Sequence, residues 1–494
     1  MRKWLPLTAV CLGAFMLLVD VTIVTVALPD MAVDMHTGFA GLQWVMDIYA
    51  LTLAALLLAA GALADRAGRR RVYLAGLGLF ALASLACGLA DGPGALIAFR
   101  AVQGLGAAAM FATTMALLNG AYQGRDRGVA FGVWGAVNGA AAAAGPIVGG
   151  LLTEHFGWRW IFFVNLPVCA LAVLVTLKSV GESRDPHAKG LDLPGTVTFT
   201  AAAGCVTYAL IRGGENGWTS GATLGFFVLG AVALVSFLVV ERRSARPMLD
   251  LGLFRSRAFV GIMTAALLMS AAAFAYFLYV SMWLQSVLGM GPVAAGLALV
   301  PMSLAAFVVS AVAGRHLHRL PARYSVGGGM LLIGAGALLL ALVSADSSWP
   351  VLVPGLLVAG AGVGAVGPSL AAAAMDAVAP ARAGMAGGAL NTARQLGMAL
   401  GIAVLGGLFH AGVRSGLPSA ARDLADPLTS GQAAAVIGRA PRLEGVVEAA
   451  FASGLRETFV VAGVLGLAGG LLALWLMRPA AAVAPAPAEA PAAL

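Results

Sequence analysis

The sequence predicts an all-α membrane protein with fourteen transmembrane helices: two six-helix pseudo-repeat bundles plus an inserted two-helix hairpin. Three observations predict it. The chain of 494 residues is 60% hydrophobic and only 11% charged, more apolar than a soluble chain needs. Apolar runs of about 20 residues, the length that crosses a bilayer, recur along it. Glycines also recur between its two ends at a single offset of 256 residues.

The spans are expected at 5–28, 43–64, 72–90, 94–118, 128–152, 160–178, 191–211, 221–240, 258–284, 292–314, 325–344, 350–374, 385–408 and 456–477. A barrel strand would alternate polar and apolar residues, and these runs do not. Arg2 and Lys3 precede the first run as in a secretory leader. That run is long, contains Asp20 and has no A-x-A site, so it reads as an uncleaved first span. Asp20 is the most informative residue of the chain. A carboxylate at membrane depth costs roughly 2.5–3.5 kcal/mol on insertion scales and is kept for binding, pairing or protonation. Asp47, in the outer third of span 2, reads equally as a second titrating or cation-binding site and as an interfacial charge at a helix start.

After span 2 comes Gly61-Ala-Leu-Ala-Asp65-Arg66-Ala-Gly68-Arg69-Arg70-Arg71. Its charges fit a latch on helix ends of the opposite bundle, or simply set topology. In span 4, Arg100, Gln103 and Ala107 share one helical face. Arg100 either snorkels to water or pairs with a carboxylate, and its depth matches that of Asp20. Span 5 carries Gly132 and Gly145-Pro146-Ile-Val-Gly149-Gly150, which permit bending and close helix contact. Spans 7 and 8 have no counterpart in the repeat. Gly104 and Gly106 find Gly360 and Gly362, while Gly128, Gly132 and Gly145 find Gly384, Gly388 and Gly401. GRHLHRLPAR from Gly314 is a worn copy of the loop after span 2. The division follows: 1–180 first bundle, 181–245 inserted pair with linkers, 246–478 second bundle, 479–494 a disordered Ala-Pro tail. Parallel six-helix repeats hold substrate at their interface near mid-membrane.

Span 9 shows Tyr276, Tyr279 and Trp283 at helical spacing, as packing or as a substrate platform. Asn391, Arg394 and Gln395 share a face of span 13 too polar for lipid, and Arg394 points to anionic or zwitterionic cargo. Gln103, Asn138, Tyr276, Asn391, Arg394 and Gln395 are assigned to the substrate cavity. The 409–455 outer loop is expected to hold a surface helix at 432–452.

The net charge of +8 raises nucleic acid as a partner, but its placement excludes one. Twenty-one Lys and Arg fall on segments sharing a side with the N-terminus, seven on the other side, and Arg100 and Arg394 within spans. That bias puts both termini in the cytoplasm and makes lipid headgroups the partner of the basic excess. Cys11, Cys87, Cys169 and Cys205 lie inside apolar runs without metal or redox spacing and read as packing residues. No phosphate loop or nucleophile–base pair argues for an ATP-driven pump or an enzyme. No cofactor or metal is expected. Three lysines against a heavy use of Arg, Ala and Gly suggest a GC-rich bacterial genome, hence the inner membrane.

The loop G-x-x-x-D-R-x-G-R-R resembles the signature of the major facilitator superfamily, and Leu96-x-x-x-Arg100-x-x-Gln103-Gly104-x-Gly106 resembles its span-4 motif. The span-5 GPxxGG is similar to that of proton-driven antiporters, with Ala141 in place of a further glycine. Leu18-Val-Asp20-Val-Thr22-Ile-Val-Thr25-Val-Ala27-Leu28-Pro29, Trp44-Val-Met-Asp47-Ile-Tyr49-Ala-Leu51, Trp158-Arg159-Trp160-Ile161-Phe162-Phe163-x-Asn165-x-Pro167 and Asn391-Thr-Ala-Arg394-Gln395-Leu-Gly397 resemble the fourteen-helix drug:proton antiporters of the EmrB/QacA type. The resemblance implies proton-coupled export of small amphipathic drugs or antibiotics by a monomer. Proton coupling would rest on Asp20, Arg100 and Asp47, and the inner latch on Gly61, Asp65, Arg66, Gly68, Arg69 and Arg70. A same-fold exporter of an endogenous metabolite or siderophore stays open, and the resemblance names no particular substrate.

Overall fold

The computed structural model describes residues 2–184, 190, 192–245, 247–316, 320–378 and 383–478. The tail 479–494 and the basic residues Lys189, Arg246, Arg319 and Arg382 lie outside them. The long helices are α1 (Leu5–Asp34), α2 (Phe39–Ala67), α3 (Arg69–Gly88), α4 (Pro93–Ala121), α5 (Gly124–Phe156), α6 (Trp160–Ser179), α7 (Leu193–Asn216), α8 (Gly221–Arg243), α9 (Arg257–Val287), α10 (Pro292–His316), α11 (Ala322–Leu340), α12 (Leu352–Asp376), α13 (Ala383–Gly416) and α14 (Glu444–Leu476). Thirteen of them are long and apolar enough to cross a membrane among the described residues. The remaining one is α5, where the sequence predicts span 5.

Local chemistry sets several helix starts. Asp192, Ser220 and Ser256 sit at N-caps and accept the backbone N–H of Gly195, Thr223 and Phe259. Gly68 joins α2 to α3 at φ +114°, a left-handed conformation that side chains rarely adopt, which explains the glycine in the latch motif. α9 loses regular α geometry after Ala273 and resumes at Phe277.

The helix packing repeats. α1 lies on α5 and α6, α3 on α4 and α6, and α2 on α4. In the same way α9 lies on α13 and α14, α11 on α12 and α14, and α10 on α12. The two sets meet along α2–α13 and α5–α10. α7 and α8 pair with each other, and α7 lies against both α2 and α13. Beside this contact a mostly apolar cavity of about 290 Å³ is lined by Trp44, Ile48, Tyr208 and Phe226 among others.

Three elements differ from expectation. α1 and α13 run further than their apolar runs, because Met31, Ala32, Phe409 and Val413 are buried by neighbouring helices. The surface helix expected at 432–452 is not continuous. A short helix, Ala433–Arg439, ends before Pro441, whose ring and missing N–H do not continue a helix. From Glu444 the chain already belongs to α14, since Ala450 and Phe451 are buried and Gly416 and Gly454 bring α13 and α14 into backbone contact.

Candidate functional site

Asp20 is 0% exposed and Arg100 1% exposed. The Arg100 Nη1 donates to Asp20 Oδ2 at 2.6 Å. Gln103 Nε2 and Asn165 Nδ2 donate to Asp20 Oδ1 at 2.9 and 3.0 Å. Both amides also reach Ser84 Oγ, at 2.8 and 3.2 Å, and Arg100 Nη1 donates to Gln103 Oε1 at 2.7 Å. Arg100 Nε donates to the Val45 carbonyl at 3.2 Å, and its guanidinium stands 4.2 Å from the centre of the Tyr49 ring. Five helices, α1, α2, α3, α4 and α6, thus converge on one carboxylate. A charge removed from water needs a partner and hydrogen bonds, and this carboxylate has one cation among three donors. In this conformation the carboxylate is enclosed within the first set of helices.

Tyr49 is where this enclosure can be probed. Its hydroxyl is buried without a partner, while its ring carries the contact with Arg100. Tyr49→Leu is expected to destabilise the purified protein by about 2 kcal/mol, the scale of a desolvated cation–π contact. Tyr49→Phe should leave the thermal midpoint unchanged or higher, because an unsatisfied hydroxyl is removed. Equal losses in both variants would show that the ring face contributes nothing.

Asp47 is 0% exposed and no hydrogen-bond donor reaches either carboxylate oxygen. It is therefore no interfacial helix-start charge. One turn away on α2, Gln43 Nε2 donates to the Ile402 carbonyl of α13 at 3.0 Å. Tyr279 Oη of α9 donates to the same carbonyl at 2.5 Å. Asp47 consequently stands beside the seam between the two sets.

The helix α5 links Asp20 to the second set. A Cβ on Gly145 would collide with Thr22, and one on Gly149 would stand 2.8 Å from the Ile23 carbonyl, both on α1 within one turn of Asp20. A Cβ on Gly150 would stand 2.6 Å from the Pro292 carbonyl of α10, and one on Gly296 of α10 would collide with the Pro146 carbonyl. Ala141 is buried in the same packing, and Gly132 lies in α5. Close by, Val293 N–H donates to Glu154 at 3.1 Å and Gln285 Nε2 to the Val26 carbonyl at 2.9 Å. These contacts between the sets gather at the end away from the arginine-rich loops.

At the arginine-rich end the latch residues have partners other than those expected. Asp65 pairs with Arg69 at 2.8 Å, one turn along. Arg70 donates through Nη2 to the Leu177 carbonyl at 2.9 Å and through its backbone N–H to Glu182 at 3.1 Å. Arg71 faces Glu182 at 3.7 Å. Among the described residues, the hydrogen bonds and ion pairs of the Asp65, Arg69, Arg70 and Arg71 side chains stay within α2, α3, α6 and the segment after α6. Gly61 and Arg66 stand on the same α2 end.

The expected cavity residues divide. Gln103 belongs to the Asp20 network rather than to open space. Tyr276 is 0% exposed, packed on Phe277 and Phe459 in the core of the second set, because α9 is covered by α14 there. Tyr279 stacks on Phe409 at 5.0 Å. Asn138, Asn391, Arg394 and Gln395 are half-buried. Asn391 donates to the Gly387 carbonyl of its own helix at 3.0 Å, and Arg394 to the Gly367 carbonyl of α12 at 3.2 Å. Sequence reasoning missed Ser84, Tyr49, Gln43 and Gly296 as site residues. It met Tyr49 and Asn165 only as parts of family markers.

The Major Facilitator Superfamily model matches residues 10–402. The multidrug resistance protein Stp of Mycobacterium tuberculosis is 39% identical over 426 residues, 86% of this chain and 79% of Stp. The tetracenomycin C resistance and export protein of Streptomyces glaucescens is 34% identical over 502 residues, 97% of this chain and 92% of the relative. The puromycin resistance protein pur8 of Streptomyces alboniger is 37% identical over 82% of this chain and 81% of its own length. In fold, the crystal structure of the human organic anion transporter MFSD10 (TETRAN) superposes with a TM-score of 0.62 at 17% identity, covering 96% of this chain and 99% of that one. With its doubled helix packing and a buried ion pair inside one set, the chain belongs to the Major Facilitator Superfamily, as a multi-pass membrane transporter related to the superfamily's drug-efflux members.

Proposed function

We propose that this protein exports amphipathic drug-like molecules in exchange for protons, by alternating access between two halves, 1–180 and 246–478, with 181–245 as an accessory pair. The observation that carries the reading is the Asp20–Arg100 pair, sealed inside one half and joined to the other through α5. Opening the seam at Gly150 and Gly296 moves α5, which bears on α1 at Thr22 and Ile23, and so disturbs the cage around Asp20. Protonation of the carboxylate and loss of its pairing then belong to the open state, and restoration of the pair to the closed one. Asp47, at the seam and without a donor, holds a second proton.

The arginine bias supports both termini in the cytoplasm of a bacterial inner membrane. The seam residues then close the outer side here, and the latch is unfastened on the inner side. A single chain supplies both halves, so the transporting unit is a monomer. The names of the relatives support antibiotics as cargo.

The test uses purified protein in liposomes that enclose a pH-sensitive dye. Tetracenomycin C or puromycin is expected to move protons across the membrane only when the protein is present. Asp47→Asn should keep the wild-type melting temperature, since no donor is orphaned, and should move fewer protons per substrate. Wild-type drug movement indifferent to an imposed pH gradient would overturn the antiport reading.

A further inference from the structure

We propose that the face of α13 around Arg394 is an anion-recognition subsite, so that the preferred cargo carries a carboxylate or another anionic oxygen. The inference deepens the export reading and rests on it. A guanidinium within a membrane span is costly unless something neutralises it. Arg100 has Asp20; Arg394 has no carboxylate within ion-pair distance among the described residues. Among the described residues its one hydrogen bond goes to the Gly367 carbonyl, and its Nε is buried without an acceptor. The charge does not face lipid, because the side chain reaches across to α12. The α12 surface at Gly367 is itself open, since a Cβ placed there would meet nothing within 4 Å.

The neighbouring residues suit such a group. Gln395 adds an amide without a hydrogen-bond partner among the described residues, and Met398 continues the half-buried face with an apolar side chain. The repeat strengthens the case. Asn138 stands 256 residues before Arg394, and each lies seven residues ahead of a glycine, Gly145 or Gly401, that brings its helix against α1 or α9. Asn138 Oδ1 is likewise buried and unpartnered. Equivalent positions of the two halves therefore each keep an unsatisfied polar atom, an acceptor in one and a cationic donor in the other.

The experiment measures equilibrium binding, with no gradient, to the full-length protein in phosphatidylcholine nanodiscs. The probes are dansylglycine, a carboxylate, and dansylglycinamide, its neutral match. Wild type is expected to bind the carboxylate about tenfold more tightly than the amide, the scale of a charge-assisted hydrogen bond. R394Q should abolish that preference while changing amide binding by less than about twofold, and R394K should keep part of it. Equal weakening of both probes in R394Q, or no preference or no binding in wild type, overturns the proposal. Phosphatidylglycerol that displaces dansylglycine from wild type would assign the subsite to a lipid headgroup, and overturns it too. Because no proton gradient is involved, a failure here is separate from a failure of antiport.

Discussion

Asp20→Asn is expected to abolish proton-driven accumulation and to destabilise the protein. Each proton moved inward contributes about 2.3 kcal/mol per 100 mV, so losing one coupled proton lowers the attainable concentration ratio about fifty-fold per 100 mV. The stability loss has a separate cause. Removing the carboxylate leaves the Arg100 guanidinium charged and enclosed by Tyr49, Val45 and Phe162, and breaking a buried pair from one side costs roughly 3–5 kcal/mol. The double variant Asp20→Asn with Arg100→Gln removes both charges and should recover most of the melting temperature while staying uncoupled. That split separates the structural part of the pair from its coupling part. Gradient-driven accumulation by a stable double variant would move the coupling role to Asp47.

Gly296→Val is expected to reduce transport to below about a tenth of wild type by forcing the α5–α10 seam apart. The atom that a side chain would meet is the Pro146 backbone carbonyl, which does not rotate away. Overpacking usually costs about 1–3 kcal/mol, and here the relief available is separation of the helices rather than a new rotamer. A cysteine placed at Gly291, beside Glu154 at the same end, should then react several-fold faster with a membrane-impermeant maleimide, in a background lacking the four native cysteines. Gly296→Ala should show a smaller effect of the same sign. Wild-type transport by Gly296→Val would show that this seam does not move during the cycle.

Apolar run length placed thirteen of the long helices well, because water exclusion acts on composition and needs no knowledge of partners. The same logic fails at the helix ends. Hydropathy stops α1 near Leu28, yet the helix continues to Asp34 because other helices cover Met31 and Ala32. The Asp20–Arg100 pairing was legible for a physical reason: two opposite charges at compatible depth in neighbouring spans have few other partners. Its cage was not. Ser84 lies on α3 and Asn165 on α6, and no spacing or period connects them to α1. The tyrosine stripe of span 9 left packing and platform as alternatives; the packing of Tyr276 on Phe459 decides for packing at that residue.

By itself the sequence determined the all-helical membrane class, the repeat and the charges that had to be paired, since these follow from periodicity and from the cost of an ion in hydrocarbon. Only the tertiary structure decided which acid is enclosed by donors and which has none. Asp20 and Asp47 are both carboxylates in apolar spans, and their difference comes from amides and a guanidinium delivered by helices distant in the chain.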